Sequence, residues 1–201
     1  MTHPNPAFAM ADEEAALALA GEIGLAHIFV AGPAGPLVAH APVVRARDRA
    51  LRFHLARGNR IVRHLDGARA LLSLVGAHGY MSPNWYRPPG DQVPTWNYVA
   101  VEIEGPVRRL DEDGLTDQLD ALAARHEPGL SERPWTRDKM SPGRFTALLK
   151  GILGFEVAVD TVRATVKLGQ NKAAADRAGA IAGLEAAGNH RLAAAMRSID
   201  R

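Results

Sequence analysis

The chain has 201 residues, 47% of them hydrophobic and 23% charged, with a formal net charge of +2. That is enough for one large globular domain, or one domain with a helical appendage, and the composition is that of an ordinary soluble protein. There is no cysteine, which excludes a disulfide framework, a thiolate metal site and a cysteine nucleophile.

The first residues, MTHPNPAFAMADEE, lack a basic n-region and an apolar h-region, so no signal peptide is expected. The most apolar window, 15–33, is broken by Gly21, Glu22 and Gly24 and is too short to span a bilayer. A cytoplasmic protein is the expectation. Residues 11–20 read as a short helix with acids in its first turn. Ile23 to Val30 and Leu37 to Val44 read as strands joined by the breakers of 32–36, a hairpin in which Pro42 marks an edge or a bulge. Leu51, Phe53 and Leu55 alternate with Arg52 and His54, the pattern of a strand buried on one face. Gly58-Asn59 ends that strand and opens a short helix through Leu65. Leu71 to Ala77 is apolar on both faces and reads as a central strand.

From His78 to Tyr98 the character changes. This stretch holds two of the three Trp, all three Tyr and four Pro. It is too aromatic for disorder, and such a loop inside a domain is usually functional. Thr95 to Val107 is the clearest long strand, with Asn97, Val99, Val101 and Ile103 on one face and Trp96, Tyr98, Glu102 and Glu104 on the other. Asp111 to His126 is a helix with acids at its start, Leu115, Leu119 and Leu122 on one side, and Arg125 and His126 before Pro128-Gly129. Ser141-Pro142 starts another helix as N-cap and first residue, with Gly154 at its end. Phe155, Val157 and Val159, then Val162, Ala164 and Val166, read as strands, and helices over 172–187 and 189–199 follow. About six strands joined mostly by short turns favour antiparallel pairing. The fold class is therefore mainly β with peripheral helices (α+β), an antiparallel six-stranded barrel. A division into a barrel domain, 1–170, and a C-terminal helical hairpin packed on it, 171–201, follows the change in pattern.

No nucleotide-loop, dinucleotide-fingerprint, nucleophile-elbow or zinc-helix motif is present, and no two of the eight His have helical metal-ligand spacing. No metal is expected. Three segments carry polar chemistry. In His54-Leu55-Ala56-Arg57-Gly58-Asn59 a strand leads to a helix start, where Arg57 and free N–H groups suit a phosphate, or where Gly-Asn simply caps the helix. In the aromatic stretch, Tyr80, Ser82, Asn84, Trp85, Tyr86, Thr95, Trp96 and Asn97 suit a flat heterocycle, or a loop latched onto the core. Asn97 stands in register with an apolar face, so its amide needs partners. Lys167-Leu168-Gly169-Gln170-Asn171 groups a cation and two amides, suited to an anion or to an ordinary turn.

Taken together, the motifs H-L-A-R-x-N, H-x-Y-x-S-P-x-W-Y, V-P-T-W-N-Y-V-A-V and K-L-x-Q-N followed by A-D-R-A-G resemble the PaiB-type family of FMN-binding negative transcriptional regulators. The resemblance runs from Pro4 and Phe8, through His40-Ala41-Pro42, to Gly188 and 192–196. It implies an FMN-binding split barrel of Greek-key topology, related to pyridoxamine-phosphate oxidases and flavin reductases and acting as a homodimer with flavin at the subunit interface. By position, His54, Arg57 and Asn59 would lie along the FMN phosphate and ribityl chain. Ser82, Trp85, Thr95, Trp96 and Asn97 would line the flavin pocket, and Lys167, Gln170 and Asn171 would close it. Two departures change its chemistry: Gly169 stands where relatives usually have Ser, and His27 where they tend to have Thr.

Three functional readings follow: a flavin-dependent oxidoreductase, a transcriptional regulator, or a barrel that binds haem or another small molecule. No residue pair announces a general acid or base, and His54 and His78 are the candidate proton donors. For DNA, the relevant feature is the span 163–201, with seven Lys or Arg against three Asp or Glu. Its two helices resemble a helix-turn-helix, or equally a hairpin packed on the barrel.

Overall fold

The computed structural model of the chain describes residues 3–47, 49–86 and 91–199. Residues 87–90 of the aromatic stretch and residues 200 and 201 of the basic tail lie outside the described residues. Two units divide the chain: residues 17–74 with 102–162, called here the barrel unit, and residues 1–16 with 75–101 and 163–201, called the flank unit. Two long strands run through both, β5 (Arg69–Met81) and β6 (Thr95–Arg109).

In the barrel unit, β2 (Leu25–Gly32) and β3 (Gly35–Arg47) form the expected hairpin about Pro33-Ala34, with Gly32 opposite Gly35. Pro42 is the last β3 residue paired to β2; from Val43 on, β3 pairs with β4 (Ala50–Ala56). A proline cannot donate to the ladder, so it fits where the strand changes partner. The register irregularity comes further along, between Arg45 and Arg47. β4 pairs over its whole length with β7 (Ile152–Ala158). The strands follow the order β6-β5-β2-β3-β4-β7, and β7 pairs back to β6, so six strands close on themselves. The chain passes from β4 to β5 across β3 and β2, the Greek-key step. Apolar residues fill this ring: Phe53 and Phe155 stack at 5.5 Å, with Ile28, Leu51, Leu72, Leu74 and Ile103 fully buried.

α1 (Glu13–Ile23) begins two residues later than its pattern suggests, because Asp12 Oδ1 accepts from the Glu14 and Ala15 amides and sets the start. α2 (Glu112–His126) matches its sequence reading: Asp111 accepts from Gly114 N at 2.8 Å, acids fill the first turn and Arg125 and His126 the last. Two expectations are corrected. The helix expected from Ser141-Pro142 to Gly154 is only α3 (Arg144–Leu149), preceded by Gly143 at φ 74°. Gly154 lies instead inside β7 opposite His54, since ladder pairing with β4 claims Ile152 onward. The helix expected from Gly58-Asn59 to Leu65 is a turn with a single 3-10 stretch, Val62–His64.

In the flank unit, β8 (Thr161–Lys167) lies beside β6, and the two-residue β1 (Ala9–Met10) pairs with β8. Among the described residues these bring the strand count to eight, two beyond the closed ring. The burial alternation of β6 follows its sequence reading, with Asn97, Val99, Val101 and Ile103 buried. α4 (Ala174–Ala186) and α5 (His190–Ser198) form a hairpin. Gly188 takes φ 77° at the end of α4, and Asn189 caps α5 while its Nδ2 donates to His78 O. Leu184, Leu192, Ala193 and Met196 are buried.

Candidate functional site

In the flank unit, the β8–α4 turn is organised by its own polar residues. Gln170 Oε1 accepts from Leu168 N at 2.9 Å, while its Nε2 donates to Val166 O at 2.6 Å and Ala7 O at 3.0 Å. The Gln170 amide is thus spent on holding the turn and the N-terminal segment. That frees Lys167 to point elsewhere: its Nζ donates to Thr95 Oγ1 at 2.8 Å and stands 5.8 Å over the Phe8 ring. Lys167 is half-buried, and among the described residues no carboxylate is paired with it. A partly desolvated ammonium beside a hydroxyl and an aromatic ring is suited to an anionic or carbonyl-rich ligand.

Asn97 is buried at 3% exposure, and its Nδ2 lies 3.6 Å from Met196 Sδ, a weak acceptor. Gly169, next to it, has φ +81°. A serine there would carry the strain of the left-handed region, so this chain's glycine relaxes the turn that Lys167 enters. Ser82 accepts from Asn84 N at 3.3 Å and caps the 3-10 turn Pro83–Trp85. Trp85 lies against α4: a Cβ on Gly183 would come within 2.4 Å of the indole, and one on Gly179 within 2.1 Å of the Trp85 carbonyl. Those two glycines, one turn apart, let the ring sit on the helix. Trp96 is 53% exposed and stacks on His78 at 6.2 Å. Tyr86 is buried under Lys172, whose Nζ is 5.2 Å from the ring and donates to Gln92 Oε1. Burial, and then the Asp176 carboxylate, push the Tyr86 phenol up. Asn171 is exposed.

In the barrel unit, His54 Nδ1 lies 3.0 Å from Gln118 Oε1. With the amide so oriented the ring donates from Nδ1 and keeps Nε2 as an acceptor. Burial lowers the His54 pKa, and the Gln118 hydrogen bond offsets only part of that, so the ring is neutral at neutral pH. Gln118 is 1% exposed and its Nε2 has no hydrogen-bond partner among the described residues. Sequence reading passed over Gln118; the available signal was an amide three residues after Leu115, on the apolar side of α2. Arg57 is exposed, its Nε donating to Lys150 O at 2.8 Å. Asn59 Oδ1 accepts from Ile61 N at 3.2 Å. The helix N-terminus expected here for a phosphate is absent, because a three-residue 3-10 turn has no significant macrodipole and Asn59 takes its free amide. What remains for an anion is the Arg57 guanidinium.

The contacts therefore join Lys167 to Thr95 and Asn97 to Met196 in the flank unit, and His54 to Gln118 in the barrel unit. The flank unit supplies an unneutralised cation, a hydroxyl and exposed aromatic area, and the barrel unit a guanidinium, an imidazole acceptor and an orphaned buried amide. Among the described residues no three His, Cys, Asp or Glu cluster as metal ligands, and no helix is long and apolar enough to cross a membrane.

Residues 2–161 match the family model described as "Putative FMN-binding domain". The chain is 36% identical over 120 residues to the protease synthase and sporulation protein PAI 2 of Bacillus subtilis, covering 59% of this chain and 56% of that protein. An uncharacterized protein of Emericella nidulans is 28% identical over 164 residues, covering 75% of this chain and 65% of its own. The chain thus spans less than two thirds of the length of these relatives. Among solved structures, the FAD and heme binding protein from Mycobacterium smegmatis superimposes with a TM-score of 0.59 at 21% identity, over 79% of this chain and 73% of that one. The flavocytochrome Anf3 from Azotobacter vinelandii does so with a TM-score of 0.60 at 16% identity, over 82% and 72%. At such identities these neighbours establish the fold alone, a split barrel. Its closed six-strand ring and its family match agree, and the chain belongs to the FMN-binding domain family, a PaiB-like split barrel whose cofactor is FMN.

Proposed function

We propose that this chain is a flavin-dependent regulatory protein that holds FMN against Lys167 and Thr95 and works as a homodimer. The observation that carries the flavin site is Lys167, a half-buried ammonium bonded to Thr95 Oγ1 with no carboxylate paired to it among the described residues. When bound, FMN supplies the electron and hydride chemistry, and the protein supplies position and electrostatics. Lys167 would supply a positively charged donor to a carbonyl-rich edge of the flavin. Thr95 fixes the ammonium, and the Gln170 latch keeps the turn that carries Lys167 in place. Titration of the purified chain with FMN is expected to quench flavin fluorescence and raise the melting temperature. Absence of both at saturating FMN would overturn the reading.

The outer face of the barrel unit supports the dimer. Leu25 is 53% and Phe29 36% exposed, and Phe29 stands between Val38 and Leu71 in the ladder. The apolar row of Val38, Phe29 and Leu71 is surface of the kind that marks an association face. Phe29→Asp is expected to weaken the dimer by on the order of 30-fold or more, as for a central aromatic anchor. Sedimentation equilibrium reads this, and an unchanged dimer constant would move the interface elsewhere.

Regulation through the flavin suits the C-terminal hairpin better than direct DNA reading. The buried face of α5 is used for packing, and Arg197 is ion-paired with Glu185 of α4. Wild-type chain is expected to leave DNA mobility unchanged at low salt. Retardation that falls steeply with salt, and is lost on neutralising Arg191 and Arg197, would establish direct binding instead.

A further inference from the structure

Across the outer face of the barrel unit runs one polar row in apolar surroundings. His27 on β2 stands opposite His40 on β3 and opposite Ser73 on β5. The neighbouring row on one side is Val38, Phe29 and Leu71; on the other, Leu25 faces Pro42. Opposed residues of a ladder project to the same face, so both imidazoles and the serine hydroxyl share it. His40 is exposed and His27 half-buried, and their ring centroids lie 4.8 Å apart at 90°. Among the described residues, no hydrogen bond from another side chain or the backbone holds either ring.

That spacing has a chemical meaning. With a metal–nitrogen bond of about 2.0–2.1 Å, each ligating ring centroid sits about 3.2 Å from the metal, and two rings in cis at square to tetrahedral angles lie about 4.5–5.2 Å apart. The observed 4.8 Å falls within that interval. Trans ligation across a haem would place the centroids about 6.4 Å apart with the macrocycle between them, which two adjacent strands of one sheet do not allow. The two strands also fix the imidazoles to neighbouring backbone positions, so little order is lost on chelation.

We propose that His27 and His40 together chelate one divalent d-block cation of the zinc, nickel and copper class, with water in the remaining positions. Imidazole is a preferred ligand for these ions. Ser73 offers the oxygen that a ligating imidazole N–H or a bound water uses for orientation. The assignment does not rest on the flavin reading, and the row adjoins the Phe29 patch of the same face.

Calorimetric titration of the tag-free chain with zinc chloride and nickel chloride, in a non-chelating buffer at neutral pH, tests it. Saturable binding is expected at one ion per chain, or one per two chains if a second copy shares the ion. His27→Gln and His40→Gln are each expected to weaken binding at least about tenfold, and the double variant little more than either alone, because a chelate lost at one arm is lost as a unit. His64→Gln, outside the row, leaves binding unchanged. Metal should raise the melting temperature of the wild type and not of the two variants, whose metal-free melting reports that they still fold. Failure of the wild type to take up either ion saturably, or undiminished binding in a folded His27 or His40 variant, overturns the assignment.

Discussion

Replacing Glu156 with glutamine is expected to cost about 3–5 kcal/mol of stability, the range for removing one partner of a buried ion pair. Glu156 is 6% exposed on β7 and sits between two arginines in the ladder: Arg52 opposite it on β4 and Arg108 opposite it on β6. Arg52 Nε donates to Oε2 at 2.7 Å, and Arg108 Nε and Nη2 donate to Oε1 at 3.0 and 2.6 Å. The Arg52 side chain is itself only 12% exposed, so the variant strands a buried cation. Arg108, at 56%, is close to solvent and loses less. Against a typical total of about 5–15 kcal/mol, this is a large share. Urea unfolding measures it; a midpoint shift worth less than about 1 kcal/mol would mean that water replaces the carboxylate without penalty. Substituting Arg52 and Glu156 together by apolar residues of similar volume should restore much of the loss.

The same group makes stability depend on acid. Burial alone would raise the Glu156 pKa, but the hydrogen bonds from Arg52 and Arg108 and their charges outweigh it and hold the carboxyl below its ordinary value. A depressed carboxyl contributes stability that is fully present above its unfolded pKa and is lost as pH falls through the folded one. Wild type and Glu156→Gln should therefore converge on acidification below the ordinary carboxylate range and stay separated at neutral pH. A constant gap across that range would assign the effect to packing.

Replacing Lys167 with methionine is expected to weaken FMN binding about 10- to 100-fold, as for loss of a charge-assisted hydrogen bond of about 1.5–3 kcal/mol. Methionine keeps most of the stem that covers Phe8. Without flavin the variant should melt no lower than wild type, since it removes a half-buried cation that has no paired carboxylate among the described residues. Lys167→Arg should recover part of the affinity. Unchanged FMN affinity in a folded Lys167→Met chain would move the flavin site away from β8.

How much of this was legible beforehand differs from element to element. The alternation of β6 was readable because a strand with one buried face writes its period into the sequence. α2 was readable because its cap and terminal charges are local. Gly154 was misassigned to a helix end because its strand is claimed by β4, a hundred residues earlier. The helix after Asn59 was misassigned because Asn59 turns its side chain onto Ile61 N, a choice between two local hydrogen bonds that composition does not decide.

By itself the sequence determined the fold class, the absence of thiol chemistry and the membership that its four ordered motifs announce, since these rest on local pattern and residue type. The tertiary structure alone decided which polar residues are spent and which are available. Gln170 is consumed by its own turn and Trp85 by α4, whereas Lys167 meets Thr95 with no paired carboxylate among the described residues, Gln118 joins His54, and His27 meets His40. Each of these outcomes depends on pairing between strands or helices far apart in the chain. A residue's chemistry becomes available only after its neighbours in space have taken what hydrogen bonds and packing they require.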